Sequence, residues 1–411
     1  MSSSTRIVLG LVVGLGAGAF LAFLNQPALS AVISYTDPVG TLWINALRMT
    51  VVPLVIALLI TGIASAAETA ATGRIAARAL VVFAAFLVLA ALAAIILVPA
   101  VLSLWPVRPE AAAAVRAGLS HAATAIPPPV PLGEWVTRII PTNPIGAAAE
   151  GAMLPLVVFA LLFGFAATRI EMKVRAPLLG FFQAVVETML VLIGWVLWVA
   201  PVGVFALALG VGFRSGAGAA GAVGYYLVLM SAVGAGVMIV MYPVTMLLGR
   251  VSLVRFARAA APAQVVAIST QSSLASLPAM LTSAQSELGI SRRVAGIALP
   301  LAVSLFRMTS PPVNLAIVIF IAHVYGVHLG VTQLAAGMIV AVVTSLGLVS
   351  LPSQITFFTS TVPISFAMGV PTEMLSILIA VEVIPDIFRT LGNVTADLGA
   401  TAIVARRSPG E

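Results

Sequence analysis

The stretch EVIPDIFRTLGNVTADLG, Glu382 to Gly399, gathers three acids, an arginine and an asparagine in a chain that is 61% hydrophobic and 8% charged. At about 100° per helical residue, Glu382, Asp386, Arg389, Thr390, Asn393 and Asp397 share roughly a 100° arc over about four turns. The opposite face, with Ile384, Ile387, Leu391 and Val394, is apolar. These residue types suit recognition of a small charged solute. A planar guanidinium pairs with a carboxylate through two parallel hydrogen bonds, and a carboxylate pairs with an ammonium group or carries a proton. Thr390 and Asn393 add uncharged hydrogen-bonding groups that a structural ion-pair ladder, the competing reading, does not need. Intramembrane charges normally face a cavity or one another.

The elements that must position this face are membrane helices. Mean hydropathy is +1.17 over 411 residues, and apolar runs near the ~20 residues that span a bilayer recur along the chain. Such a chain is a polytopic membrane protein. We read spans near 6–24, 41–64, 75–104, 145–168, 177–212, 219–249, 294–324 and 373–404. The run Arg6 to Leu24 resembles a signal peptide ending in ALSA, but the many later spans favour an uncleaved first helix. Arg74 and Arg78, Lys173 and Arg175, Arg250, Arg255 and Arg258, Arg292 and Arg293, and Arg406 and Arg407 place the even-numbered turns and both termini in the cytoplasm. The Pro- and Ala-rich segment Trp105 to Trp135 is an external connection without a packed core of its own. The absence of cysteine excludes disulfides, thiol nucleophiles and cysteine metal sites. The three histidines, His121, His323 and His328, are scattered, so no metal site and no cofactor are expected. No nucleophile–base pair supports an enzyme, and nothing resembles a nucleic-acid motif.

Two moderately apolar regions, Val265 to Gly289 and Val342 to Pro371, break at Ser-rich stretches ending in Leu-Pro, SSLASLP and GLVSLP. Proline removes a backbone donor and serine offers side-chain partners, so each tip is expected to be non-helical. Irregular backbone at membrane depth requires surrounding protein or a water-filled cavity. Two such segments flanking a span point to re-entrant hairpins around a midplane site; two kinked surface helices are the alternative.

The polar helix with its two Ser/Leu-Pro hairpins resembles the glutamate transporter family, the dicarboxylate/amino acid:cation symporters. VVPLVIALLITGIAS (51–65), PTNPIGAAAEGAMLPLVVFALLFG (141–164) and PVGVFAL (201–207) look like that family's second, fourth and fifth spans, and the match is most specific at Asp386, Arg389, Thr390, Asn393 and Asp397. The resemblance implies an all-α fold of eight transmembrane helices and two re-entrant hairpins, assembled as a homotrimer. A static scaffold would comprise 1–70 and 106–215, and a mobile elevator-like transport domain 71–105 and 216–406, followed by a tail, 407–411. It further implies that Arg389 holds the substrate's side-chain carboxylate and Asp386 its amino group. Thr390, Asn393, Ser273 and Ser310 would complete the pocket. The second hairpin tip, Ser350, Leu351, Pro352 and Ser353, would be the gate.

The sequence departs from the family pattern at the ion sites. Where the seventh span of relatives reads Asn-Met-Asp-Gly-Thr, this chain reads FRMTS, Phe306 to Ser310. Phe83, Phe86 and Leu87 replace the tyrosine, threonine and serine of span three. Sodium needs hard oxygen ligands, and these side chains offer none. A second ion site keeps Asp397 and Asn393 but carries Glu382 for an aspartate. Glu382, Asp386 and Asp397 against Arg307 and Arg389 sum to −1, where the family positions sum to −3. Arg307 is therefore a candidate built-in cation; the alternative has it snorkelling to a lipid interface. Glu382 is a candidate proton carrier, since carboxyl groups withdrawn from water hold protons more readily. The expected activity is secondary transport of acidic amino acids in the plasma membrane, with reduced or absent sodium coupling. A dicarboxylate or neutral amino-acid carrier, and an anion channel, are the alternatives.

Overall fold

Long apolar runs with few breakers give long helices, and prolines, glycines and capping serines set where they stop. The computed structural model describes residues 3–24, 30–71, 73–119, 132–215, 218–347 and 353–406, and their regular structure is entirely α-helical. The helices are α1 (Ser3–Phe23), α2 (Ser30–Ala71), α3 (Arg74–Leu104), α4 (Pro109–Leu119), α5 (Leu132–Thr137), α6 (Pro144–Glu150), α7 (Met153–Ala167), α8 (Met172–Trp198), α9 (Ala200–Ser215), α10 (Gly218–Gly249), α11 (Leu253–Thr270), α12 (Ser273–Ser286), α13 (Arg292–Leu305), α14 (Ser310–Tyr325), α15 (Val331–Gly347), α16 (Ser353–Met368), α17 (Leu375–Val381) and α18 (Val383–Arg406). Six stretches are long and apolar enough to cross a bilayer: Thr5–Phe23, Ile33–Ala70, Arg74–Leu104, Met172–Trp198, Gly221–Gly249 and Arg292–Tyr325. The chain is a multi-pass membrane protein.

Helix α9 lies along α1 and against α2, which also packs on α7 and α8. Helix α18 lies along α10 and meets α11, α12 and α13, while α3 crosses α14 and α15 pairs with α16. One core joins α1, α2, α7 and α9 to α14, α16 and α17. A second gathers the first half of α3 with α11, α12, α13 and α18. Every residue of α14 from Ser310 to Ala322 is buried, as expected of a helix apolar on nearly all sides.

Four expected spans are broken rather than continuous; the run 145–168 divides at Gly151, which ends α6 in the left-handed region (φ 69°) before α7 begins. The run 177–212 stops at Val199, and Pro201 opens α9, because a residue without a backbone donor is tolerated in a first turn. The run 294–324 is interrupted between Leu305 and Ser310, since Pro311 and Pro312 in tandem fit only at a helix start. The run 373–404 divides at Glu382, between α17 and α18. The first hairpin turns earlier than expected. Gln271 ends α11 in the left-handed region (φ 51°), the Ser272 hydroxyl caps α12 by accepting from Ala275 N–H, and SLASLP is helical. The segment read as an external connection contains α4, whose Ala111, Ala112 and Val115 are buried in the first core.

Candidate functional site

The α18 face collects groups from α10, α14 and the broken stretch before α14. Gly392 makes this approach possible: a Cβ there would meet Thr309 Cγ2 at 2.5 Å and the Gly234 carbonyl oxygen at 3.0 Å. Thr309 takes advantage of the gap. Its backbone N–H donates to Asn393 Oδ1 at 3.0 Å, its hydroxyl hydrogen-bonds the same oxygen at 2.9 Å, and that hydroxyl also lies 3.2 Å from the Arg389 carbonyl oxygen. Asn393 thus holds the unwound segment in place with its oxygen.

Arg389 and Glu382, both expected on this face, form an ion pair at 3.2 Å with side chains 6% and 1% exposed. Arg389 Nη2 donates to Asn314 Oδ1 at 2.6 Å. The other carboxylate oxygen of Glu382 accepts from the hydroxyl of Tyr226 on α10. Tyr226 is fully buried and packs against the Phe320 ring at 5.8 Å. The guanidinium expected to hold a substrate carboxylate therefore already has an internal counter-anion. Asn314, Tyr226 and Thr309 escaped the sequence reading. Asn314 carried a signal, since a lone amide within an apolar helix is a functional candidate by default.

Arg307 lies in the broken stretch and turns inward. Its Nη1 donates to Thr356 Oγ1 on α16 at 3.3 Å, and the charges of Asp386, Asp397 and Arg389 act on it. Snorkelling to a lipid interface does not describe this side chain. Asp397 is 1% exposed, and neither carboxylate oxygen has a hydrogen-bond partner; among the described residues Arg307 is the charge that faces it. An ionised carboxylate without hydrogen bonds is costly to bury, so the facing cation matters. Phe306 stacks on Phe83 with centroids 4.6 Å apart and planes 10° apart, and Phe86 closes on it at 6.2 Å. Met308 and Leu87 are buried in the same cluster. This volume is filled by apolar groups and presents no oxygen ligand from these five side chains.

Asp386 is half-buried, within charge range of Glu382 and Arg307, and its carbonyl oxygen accepts from the Thr390 hydroxyl at 2.9 Å. Ser310 is buried at the start of α14 and its N–H donates to the Arg307 carbonyl. Ser273 is half-buried at the start of α12, which packs on α18, but no hydrogen bond joins it to the polar face among the described residues. Ser350, Leu351 and Pro352 lie outside the described residues; Ser353 opens α16. The arrangement sets opposite charges side by side, with Glu382 on Arg389 and the charges of Asp386 and Asp397 acting on Arg307. Among the described residues no cluster of three or more His, Cys, Asp or Glu could hold a metal ion.

The model of the sodium:dicarboxylate symporter family matches residues 4–407. The proton/glutamate-aspartate symporter of Escherichia coli (strain K12) is 28% identical, covering 98% of this chain and 92% of that protein. The proton/sodium-glutamate symport protein of Bacillus subtilis (strain 168) is 25% identical with the same coverage. The C4-dicarboxylate transport protein of Rhizobium johnstonii is 26% identical, covering 90% of this chain and 82% of that protein.

Proposed function

This chain belongs to the sodium:dicarboxylate symporter family, and from that premise we propose that it carries acidic amino acids by exchanging one carboxylate for another on Arg389. The observation that carries the reading is the buried Glu382–Arg389 pair. With Glu382 ionised, Arg389 is neutralised from within. A proton on Glu382 removes that counter-charge and opens Arg389 to the substrate's side-chain carboxylate, while Asn314 keeps Nη2 oriented. Asp386 takes the α-amino group, and Thr390, Ser310, Ser273 and the Asn393 amide nitrogen complete the pocket. One proton then accompanies each substrate. The name of the Escherichia coli relative, a proton/glutamate-aspartate symporter, supports this coupling.

Arg307 acts as a tethered cation in place of sodium. This is supported by its inward contacts and by the apolar Phe83–Phe306–Phe86 stack. A fixed side chain cannot leave with substrate, and coupling requires a ion whose binding differs between states, so substrate affinity is independent of sodium. The reading includes eight crossings and two re-entrant hairpins, with a gate at Ser350 to Ser353. A scaffold (1–70, 106–215) and a moving transport body (71–105, 216–406) assemble as a homotrimer in the plasma membrane, both termini cytoplasmic. The C4-dicarboxylate relative favours a second reading, an amino-free dicarboxylate substrate, against which Asp386 stands.

Uptake of labelled aspartate into proteoliposomes, with sodium and pH varied independently, tests the proposal. An inward proton gradient is expected to drive accumulation equally in sodium and choline. Accumulation that needs sodium refutes the coupling, and saturable succinate uptake without aspartate uptake establishes the second reading.

A further inference from the structure

Away from the polar face, one charged contact joins α2 to the chain just before α17. Arg48 Nη2 donates to Thr372 Oγ1 at 2.5 Å and to Glu373 Oε1 at 2.7 Å. The Glu373 side chain is 5% exposed and that of Arg48 30%. Under the reading above α2 is scaffold and α17 belongs to the moving body. We infer that Arg48, Thr372 and Glu373 form a latch that holds the moving body in its inward position. The inference rests on the two-body reading.

Depth along α2 carries it. Asp37, near the outer start of α2, pairs with Arg214 in the last turn of α9 at 2.7 Å, so this pair marks the outer rim of the scaffold. Arg48 lies eleven residues further along α2 (37 to 48), about 16 Å below that rim. Glu373 immediately precedes α17, and Arg406 ends α18 at the face marked by positive residues, so the last span begins on the outer side. Its first acidic residue nonetheless sits at the level of Arg48 rather than at the rim. Glu382 follows nine residues later (373 to 382), across the seven-residue helix α17. Raising the last span to the rim would part Arg48 from Glu373 by more than a Debye length, about 8–10 Å, and end the attraction.

The contact is also built to release. Arg48 Nε and Glu373 Oε2 have no hydrogen-bond partner, nor does the hydroxyl of Tyr325, on which both charges act. A buried pair whose remaining atoms are unsatisfied holds less firmly than a fully bonded one. It biases one position of the body without locking it.

The test uses distance measurement between spin labels. The chain has no cysteine, so cysteines replacing Tyr35 and Val331, which are 81% and 82% exposed, report α2 against α15 without background. Labelled chains are diluted into unlabelled ones in proteoliposomes. The otherwise unmutated protein is expected to show mainly one long distance, with a shorter one populated as aspartate and pH are varied. Arg48→Ala and Glu373→Gln should each raise the share of the shorter distance by about tenfold, equivalent to about 1.4 kcal/mol. The double variant should go no further than either single one, and exchange of the charges (Arg48→Glu with Glu373→Arg) should restore the long distance. Both distances present but indifferent to these variants, or effects that simply add, overturn the latch alone. A single distance under every condition overturns the two-body reading and the latch with it.

Discussion

Replacing Glu382 by glutamine tests whether Arg389 is held in reserve by an internal carboxylate. The side chain keeps its shape and can still accept from Tyr226, but it has no charge and no titratable proton. At 3.2 Å and an effective dielectric constant of about 20, the pair's Coulomb attraction is about 5 kcal/mol. A substrate carboxylate must overcome it whenever Glu382 is ionised. Desolvation of both partners consumes most of the gain on release, leaving about 1.5–3 kcal/mol for a hydrogen bond to a charged group, or roughly 10- to 150-fold in affinity. The sign follows from the cycle. On the proposed cycle the unmutated site should bind aspartate well at low pH and poorly at high pH, whereas Glu382→Gln should bind well throughout, with a flat pH profile. Calorimetry from acid to alkaline pH, in sodium and in choline, measures both. Empty, the variant leaves Arg389 buried without its anion, at a cost of about 3–5 kcal/mol. Its melting temperature should fall and then recover as aspartate is added, by linkage. Proton-driven accumulation should vanish while aspartate/aspartate exchange persists. A variant that retains the unmutated pH slope, or binds aspartate more weakly than the unmutated protein at alkaline pH, refutes the reasoning.

Three further outcomes follow from the same geometry. Arg389→Ala should abolish aspartate binding or turn preference to neutral amino acids, and unmutated aspartate affinity in that variant would sink the carboxylate role. Asp386→Asn should weaken aspartate at least tenfold more than succinate in competition assays, since losing a charged hydrogen bond removes about 1.5–3 kcal/mol; equal losses would make Asp386 structural. Arg307→Met should weaken substrate binding in choline and regain part of it in sodium, because Asp397 is left without its facing cation; indifference to both ions would remove Arg307 from the charge balance.

Much of the α18 face was legible because it depends on contrast within one helix: charges four or three residues apart in an apolar chain have one angular solution. What that face pairs with was not legible. Asn314 and Tyr226 lie 75 and 156 residues from their partners Arg389 and Glu382, and no local pattern records such distances. Glu382 was expected within a continuous span, yet it stands where α17 gives way to α18. The break before α14 was available from sequence, since Pro311 and Pro312 cannot continue a helix begun earlier, but the apolar run masked it. At the first hairpin the serine-rich stretch supplied several possible caps, and the choice fell one turn early because Gln271 takes a left-handed conformation that its type does not announce.

The broken stretch also separates two roles that the sequence merges on α18. Opening a helix at membrane depth strands backbone donors, and each must find a partner inside the protein. Here Thr309 N–H finds Asn393 Oδ1, and the Thr309 hydroxyl adds to the same oxygen. Asn393 is therefore committed in part to holding Phe306–Ser310 against α18, and only its nitrogen remains for a ligand. Arg307 rides on that held segment, which aims it toward Asp386 and Asp397 while Phe306 is clamped in the aromatic stack. The face thus has a half that holds the unwound stretch through Asn393 and sets Asp397 against Arg307, and a half, Glu382 to Arg389, that on the proposed mechanism handles movable charge. Substitutions in the first half should alter the position of Arg307 and the fold together, and substitutions in the second should alter affinity and its pH dependence with the backbone in place.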